Sequence, residues 1–314
     1  MIKSILIVDD VHPIIPKELS AAGFNIIDAT KLDKNELINT IQKASGIIIR
    51  SRITIDCEII DAAKSLQFIA RVGAGMESID TEYCKRQNII CLNSPEGNRD
   101  AVGEHAVGML LSLLNNLNIA DKQVKSGIWQ RETNRGRELG SMCVGIIGYG
   151  NMGSSFAQKL SGFGCKTISY DKYKTGYADG NTTEVSLVDI FEKSDVLSLH
   201  VPLTEETNYL VDENFISNFK KDIFLINTAR GFVVKTQDLV AGLKTGKILG
   251  AALDVIEYEE SSFEKTGDLL NNKNFQYLAK QQNVIMSPHI AGWTNESKLR
   301  LATVLIDKIK VLNL

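Results

Sequence analysis

Residues 144–153 read Val-Gly-Ile-Ile-Gly-Tyr-Gly-Asn-Met-Gly, an apolar run closed by Gly148, Gly150 and Gly153. Beyond them, Met152, Phe156, Leu160 and Phe163 recur at a helical period. In a strand-to-helix turn of this kind Gly148 permits the tight bend, Gly150 lets backbone approach a pyrophosphate, and Gly153 allows the helix to pack closely on the strand. The first N–H groups and the positive dipole end of that helix then attract phosphate oxygens. Lys166–Tyr170 is a second strand candidate, and Asp171 ends it. A carboxylate at that point accepts both adenosine ribose hydroxyls and repels a 2′-phosphate, so it selects NAD over NADP. A GxGxxG spacing alone equally describes a glycine-rich turn. Strand, helix, second strand and terminal Asp in register make it a dinucleotide site.

The rest of the chain frames that unit. A length of 314 residues allows two ordinary domains, and 44% hydrophobic residues is a globular composition. No apolar run approaches the ~18 residues of a membrane span. The opening Ile5–Val8 run is short and closed by Asp9 and Asp10, so it reads as a buried first strand rather than a signal peptide. A net charge of −3 offers no basic field for nucleic acid. The five cysteines are scattered, with no CxxC pair to suggest a metal, and read as reduced thiols of a cytoplasmic protein.

Short apolar runs at Ile5–Val8, Asn25–Ile27, Gly46–Ile49, Phe68–Val72 and Ile89–Cys91 alternate with amphipathic segments at Pro16–Ala22, Asn35–Lys43, Cys57–Ala63 and Thr81–Arg86. That alternation predicts an α/β fold with a parallel sheet. Residues 93–97, Asn-Ser-Pro-Glu-Gly, are turn chemistry at a domain boundary. A long helix is expected from Asp100 to about Asn116, apolar over so much of its circumference that its own domain or a second subunit must cover it. After the glycine-rich unit come strand candidates at Val196–Leu199, Ile223–Ile226, Ile248–Leu253 and Val284–Met286. Asn295–Leu312 forms a last helix with its apolar side on a core.

Function in parallel sheets gathers at the carboxyl ends of strands. Chemically able groups fall at three strand ends: Arg230 after one strand, Asp254 and Glu259 after the next, and His289 after the last. Each has an ordinary reading: a structural histidine, a surface arginine, and Glu257, Glu259 and Glu260 as a solvated acidic loop. Beside a dinucleotide they form a set with a purpose. Hydride transfer between nicotinamide C4 and a 2-hydroxy acid needs a proton acceptor at the oxygen, and histidine suits neutral pH. A carboxylate on its other ring nitrogen orients the imidazole, and a guanidinium clamps the substrate carboxylate.

Nearly end to end, the chain resembles the D-isomer-specific 2-hydroxyacid dehydrogenases, most closely their phosphoglycerate dehydrogenase branch. The matching stretches are 72–80 (Val-Gly-Ala-Gly-Met-Glu-Ser-Ile-Asp), 93–98, Glu104-His105, Gly127-Ile128-Trp129, the glycine-rich unit, 200–203 (His-Val-Pro-Leu), 227–231 (Asn-Thr-Ala-Arg-Gly), 252–255 (Ala-Leu-Asp-Val) and 287–289 (Ser-Pro-His). The resemblance implies Arg230, Glu259 and His289 as the catalytic set. It implies NAD contacts at Gly148, Gly150, Asn151, Met152, Gly153, Asp171, His200, Pro202, Thr207, Thr228, Ala229, Asp254 and Gly292. It implies substrate contacts at Arg50, Ser51, Arg52, Ala74, Gly75 and Arg230. Two Rossmann-like or flavodoxin-like domains with a cleft between them are implied: residues 1–96 with 290–314 for substrate, and 97–289 for NAD. A homodimer is implied through the 98–118 helix region.

The chain departs from the family pattern in two places. Glu260 stands where proline usually follows the catalytic glutamate, and Lys235-Thr236 replaces an acidic pair, so the loop from Glu257 to Lys273 is expected to have an unusual shape. The chain ends with its last helix, so serine feedback through a regulatory domain is not expected. The expected reaction is NAD-dependent oxidation of a D-2-hydroxy acid, with 3-phospho-D-glycerate first because Arg50-Ser51-Arg52 follows a strand and a guanidinium there could hold a phosphate. The alternatives are arginines that face solvent in a glycerate, hydroxypyruvate or glyoxylate reductase, and an NAD-sensing protein without enzymatic activity.

Overall fold

The computed structural model describes residues 3–259 and 269–312. Glu260 and most of the loop expected to be unusual therefore lie outside the described residues. The chain divides into two compact units, 3–98 with 293–312 and 99–259 with 269–292. Both divisions fall two to three residues later than those read from sequence, for local reasons. Gly97 packs so tightly on the last helix that a Cβ there would lie 2.5 Å from the Leu301 nitrogen, which ties 97–98 to the first unit. Backbone N–H groups of Ile290 and Ala291 bind Asp254 and tie that segment to the second.

The first unit holds five parallel strands: β1 (Ser4–Ile7), β2 (Asn25–Asp28), β3 (Gly46–Ile49), β4 (Phe68–Arg71) and β5 (Ile90–Leu92), in the order β2-β1-β3-β4-β5. This is the flavodoxin-like winding. Central strands of such a sheet are covered on both faces and so read as unbroken apolar runs; β3 is buried along its whole length. The last helix, Asn295–Val311, buries Ala302, Leu305, Ile306 and Ile309 in one core with Ile5, Ile7, Ile48 and Phe68.

The second unit holds seven parallel strands: β6 (Cys143–Ile147), β7 (Lys166–Tyr170), β8 (Thr183–Glu184), β9 (Val196–Leu199), β10 (Ile223–Asn227), β11 (Ile248–Leu253) and β12 (Val284–Met286). Their order, β12-β11-β10-β9-β6-β7-β8, is the dinucleotide-binding winding, with the switch of direction between β6 and β9. The two-residue edge strand β8 has no sequence signal because it is too short for any periodicity.

Two expectations change. The helix after Gly150 stops at Leu160, a 3₁₀ turn follows, and Gly164 takes φ 68°, so Phe163 is 40% exposed instead of continuing the buried face. The long helix runs Arg99–Leu114 and ends before Asn116, which sits at φ 54°. Its Ala106, Leu110, Leu113 and Leu114 are buried within the second unit itself. Much of the width of its apolar face thus needs no second subunit. Four large exposed apolar side chains come just after it, at Leu117, Val124, Ile128 and Trp129.

Candidate active site

The glycine turn is built by what its residues lack. Gly148 has φ 90°, and a Cβ there would meet the His200 carbonyl oxygen at 2.5 Å. A Cβ on Gly153 would lie 2.0 Å from the Gly148 carbonyl oxygen, so the helix packs against its own turn. Gly150 is different: nothing of the protein lies within 4 Å of its would-be Cβ, and the helix Asn151–Leu160 begins immediately after it. The open side of the turn is thus where backbone faces outward, with Asn151 and Met152 supplying first-turn N–H groups that no helix carbonyl can reach. Asp171 follows β7 and accepts from the backbone N–H of Tyr149 (2.8 Å), Tyr173 (3.0 Å) and Lys174 (3.2 Å), which fixes its carboxylate beside the turn.

His200 and Thr228 follow β9 and β10. Both are buried, and His200 Nδ1 and Thr228 Oγ1 have no hydrogen-bond partner among the described residues. An unpaired buried polar atom costs about 1–3 kcal/mol, a loss that proteins tolerate where a ligand completes the bond. His200 Nε2 pairs with Ser198 Oγ at 2.8 Å, and burial pushes the imidazole down to about 3. In the loop after β9, the Thr207 hydroxyl donates to the Pro202 carbonyl (2.6 Å) and accepts from Thr204 N–H, so these residues brace each other. Ala229 and Arg230 are shaped by Asn227, whose side chain accepts from Ala229 N–H (3.0 Å) and donates to the Arg230 carbonyl (2.9 Å). Arg230 Nη1 donates to the Ala229 carbonyl (2.6 Å).

The histidine and the carboxylate come together. His289 Nδ1 lies 2.6 Å from Glu259 Oε2, with both side chains largely buried, and Glu259 Oε1 accepts from Ile256 N–H. The carboxylate fixes the proton on Nδ1, which leaves Nε2 as the basic nitrogen. Glu257, indistinguishable from Glu259 by residue type, has other work: its oxygens accept from Tyr209 O–H (2.7 Å) and Thr236 N–H (2.9 Å), which pushes the Tyr209 phenol up to about 12. His289 adopts φ 55°, a left-handed conformation that is uncommon outside glycine. Asp254, 1% exposed, holds that turn through its own carbonyl to His289 N–H (2.7 Å) and its carboxylate to Ile290 N–H (2.9 Å) and Ala291 N–H (2.8 Å). The family resemblance implies Asp254 as a cofactor contact. The structure adds this positioning task, which no local pattern announces. Gly292 ends the same loop.

The remaining substrate candidates lie in the first unit. The two arginines differ. Arg52 is committed to the carbonyls of Val8, Ala29 and Leu32, with contacts of 2.6–3.2 Å, and it stitches the strand ends together. Arg50 stacks on the Trp293 ring (4.7 Å to its centroid) and touches the Asp10 carbonyl at 3.4 Å. Ser51 lies between them, half-buried. The carbonyls of Ala74 and Gly75 accept from Asn93 Nδ2 (2.7 Å) and Arg71 Nη1 (2.5 Å).

Comparison with known proteins bears on this geometry. Residues 107–291 match the family described as "D-isomer specific 2-hydroxyacid dehydrogenase, NAD binding domain". The chain belongs to the D-isomer-specific 2-hydroxyacid dehydrogenases. It is 34% identical to a hydroxypyruvate reductase of Thermotoga maritima, over 90% of this chain and 89% of that one. It is 31% identical to the human D-3-phosphoglycerate dehydrogenase over 98% of its own length, which spans 57% of that relative. A crystal structure of D-lactate dehydrogenase from Aquifex aeolicus, complexed with NAD and lactic acid, superposes with a TM-score of 0.82 at 31% identity, covering 99% of this chain and 95% of that one. As a member of this family the chain is an oxidoreductase that uses NAD. The open turn at Gly150, the fixed Asp171 and the unpartnered atoms of His200 and Thr228 fit that cofactor.

Proposed function

We propose that this dehydrogenase oxidises the C2 hydroxyl of an anionic D-2-hydroxy acid, with 3-phospho-D-glycerate as its substrate and 3-phosphohydroxypyruvate as the product that opens serine synthesis. NAD, when bound, would supply the acceptor for the C2 hydrogen as hydride. His289 Nε2 takes the hydroxyl proton, and the imidazolium so formed is stabilised by Glu259 across the 2.6 Å contact. Arg230 clamps the substrate carboxylate by charge-assisted hydrogen bonds and polarises C2–O. Gly148, Gly150, Asn151, Met152, Gly153 and Asp171 hold the dinucleotide, with His200, Pro202, Thr207, Thr228, Ala229 and Gly292 along its length. Ala74 and Gly75 contact the acid, and Arg50 grips the distal phosphate.

The observation that carries the substrate is the stacked Arg50. A guanidinium seated over an aromatic face still presents N–H donors at its edge, which suits a phosphate. Arg52, engaged with carbonyls, supports the segment and is not assigned the phosphate. The test is kcat/KM for 3-phospho-D-glycerate and D-glycerate in the parent and in Arg50→Glu. Loss of a charge-assisted bond predicts a drop of roughly 10- to 150-fold for the phosphorylated acid alone. An unchanged ratio would remove the phosphate reading. A second reading, hydroxypyruvate or glyoxylate reduction, is favoured by the Thermotoga relative, which matches along nearly its whole length.

A second copy of this chain is the proposed partner. Exposed Leu117, Val124, Ile128 and Trp129 support an interface at the end of the 98–118 region and just beyond it. Sedimentation of the parent and of Trp129→Glu checks it, a monomeric parent being the contrary result.

A further inference from the structure

The loop that carries His289 is held by a chain of polar side chains that ends on a different element. Asp254 takes two backbone N–H groups of that loop, and its Oδ1 also lies 2.6 Å from the Ser287 hydroxyl. A carboxylate with N–H donors on both oxygens has no proton to give, so Ser287 donates its single hydrogen to Asp254. His105, on the helix Arg99–Leu114, places Nε2 3.0 Å from Ser287 Oγ and 3.5 Å from Asp254 Oδ1. With the Ser287 proton already committed, that 3.0 Å contact closes only if His105 carries a hydrogen on Nε2. The direction of every bond in the chain is therefore set, from His105 to Ser287 to Asp254.

We propose that His105 and Ser287 are positioning residues for the dehydrogenation. Acting through Asp254, they hold residues 289–291 in the left-handed turn that aims the His289 ring at Glu259 and at the substrate oxygen. The proposal rests on the reading of His289 as general base. Asp254 carries both the carbonyl and the carboxylate contacts on either side of the left-handed residue, so rotation of its side chain would release Ile290 and Ala291 together. Ser287 is the side-chain donor that opposes this rotation, and His105 fixes Ser287. Proton abstraction depends on sub-ångström placement of the base, whereas the glycine turn that receives NAD is built separately, at β6. Loss of the chain should lower kcat and spare cofactor affinity.

The experiment compares Ser287→Ala, Ser287→Thr, His105→Ala and His105→Gln in the full chain. It measures kcat with whichever of 3-phospho-D-glycerate and D-glycerate the parent turns over faster, and NAD affinity by fluorescence titration on the same samples. Ser287→Ala is expected to lower kcat roughly 10- to 100-fold, the range for a misplaced reacting group, with NAD affinity within about twofold of the parent. Ser287→Thr restores the hydroxyl and most of the rate. His105→Ala loses less, and His105→Gln, which keeps an N–H donor, recovers it. In a His289→Ala background, Ser287→Ala should cause no further loss, because both act on one step. A Ser287→Ala enzyme within twofold of parental kcat overturns the proposal. So does a full multiplicative loss on top of His289→Ala, or a joint fall of kcat and NAD affinity that threonine does not repair. If His289→Ala itself turns over normally, the base reading falls. An inactive His289→Ala beside a normal Ser287→Ala removes this inference alone.

Discussion

Two loops of the second unit do comparable work by opposite means. The turn after β6 reaches its shape by subtraction: Gly148 and Gly153 leave no side chain where the backbone must pass. The loop after β12 reaches its shape by addition: a histidine is held at φ 55° by a buried carboxylate that follows a neighbouring strand. The first device is local, and three glycines at fixed spacing announce it. The second is tertiary, because Asp254 and His289 are brought side by side only when β11 and β12 pair. A site of this kind is half written in motif and half in fold.

The comparison is broken most severely at the histidine. His289→Ala should lower kcat by a factor of roughly 10²–10⁴, the usual contribution of a positioned general base, with NAD binding little changed. Glu259→Gln keeps the shape and removes the charge that stabilises the imidazolium. Oxidation should therefore lose part of its kcat in this variant while NAD affinity stays near the parental value, because the 2.6 Å ion pair that stabilises the developing imidazolium is gone. Near-parental turnover in His289→Ala would refute the assignment.

The glycines allow a sharper dissection. Gly153→Ala pushes a Cβ onto the Gly148 carbonyl, with a backbone atom as the obstacle, and should destabilise the protein by about 1–3 kcal/mol, as overpacking does. Gly150→Ala meets only open space and should leave thermal unfolding nearly unchanged while NAD affinity falls. Equal stability losses in the two variants would contradict the division of labour between them.

The sequence makes legible whatever depends on short-range pattern. Gly46–Ile49 and Val196–Leu199 are strands because buried parallel strands are unbroken apolar runs. The glycine turn and Asp171 follow from spacing. Glu257, Glu259 and Glu260 cannot be separated by residue type alone; the family resemblance points to Glu259, and only the fold shows why, sending Glu257 to Tyr209 and Thr236 and Glu259 to His289. Arg50 and Arg52 are likewise equal on paper and unequal in the structure, because one meets strand-end carbonyls and the other a tryptophan. The positioning role of Asn227 has a readable signal, since an asparagine opening a turn bonds the backbone two residues on.

Asp171 tests whether the local half also sets cofactor choice. Its carboxylate accepts three backbone N–H groups, and the proposed role sets its negative charge against a 2′-phosphate. Asp171→Ala should narrow the NAD over NADP preference by about tenfold or more, mainly in affinity, since each charge-assisted hydrogen bond contributes about 1.5–3 kcal/mol. Parental enzyme that uses both cofactors equally would sink the claim.

The smallest effect concerns His200, which belongs to neither device: it is a strand-end histidine enclosed against Phe156 and Ser198. Burial holds its imidazole at about 3 in the folded protein, well below the value near 6.5 expected of an unfolded chain. Between those two pH values the unfolded chain binds a proton that the native state refuses. Stability therefore falls as pH drops through 6.5 toward 3, and above 6.5 this group adds no pH dependence. The limiting slope is about 1.4 kcal/mol per pH unit. His200→Asn removes the ionisation while keeping a polar side chain. Urea unfolding at pH 7 and at pH 5.5 should then show a smaller acid loss in the variant, by about 1 kcal/mol. An identical loss in both proteins would mean that His200 is protonated, or reached by water, in the native state. It would then be unsuited to the dry strand-end position proposed for it beside the cofactor.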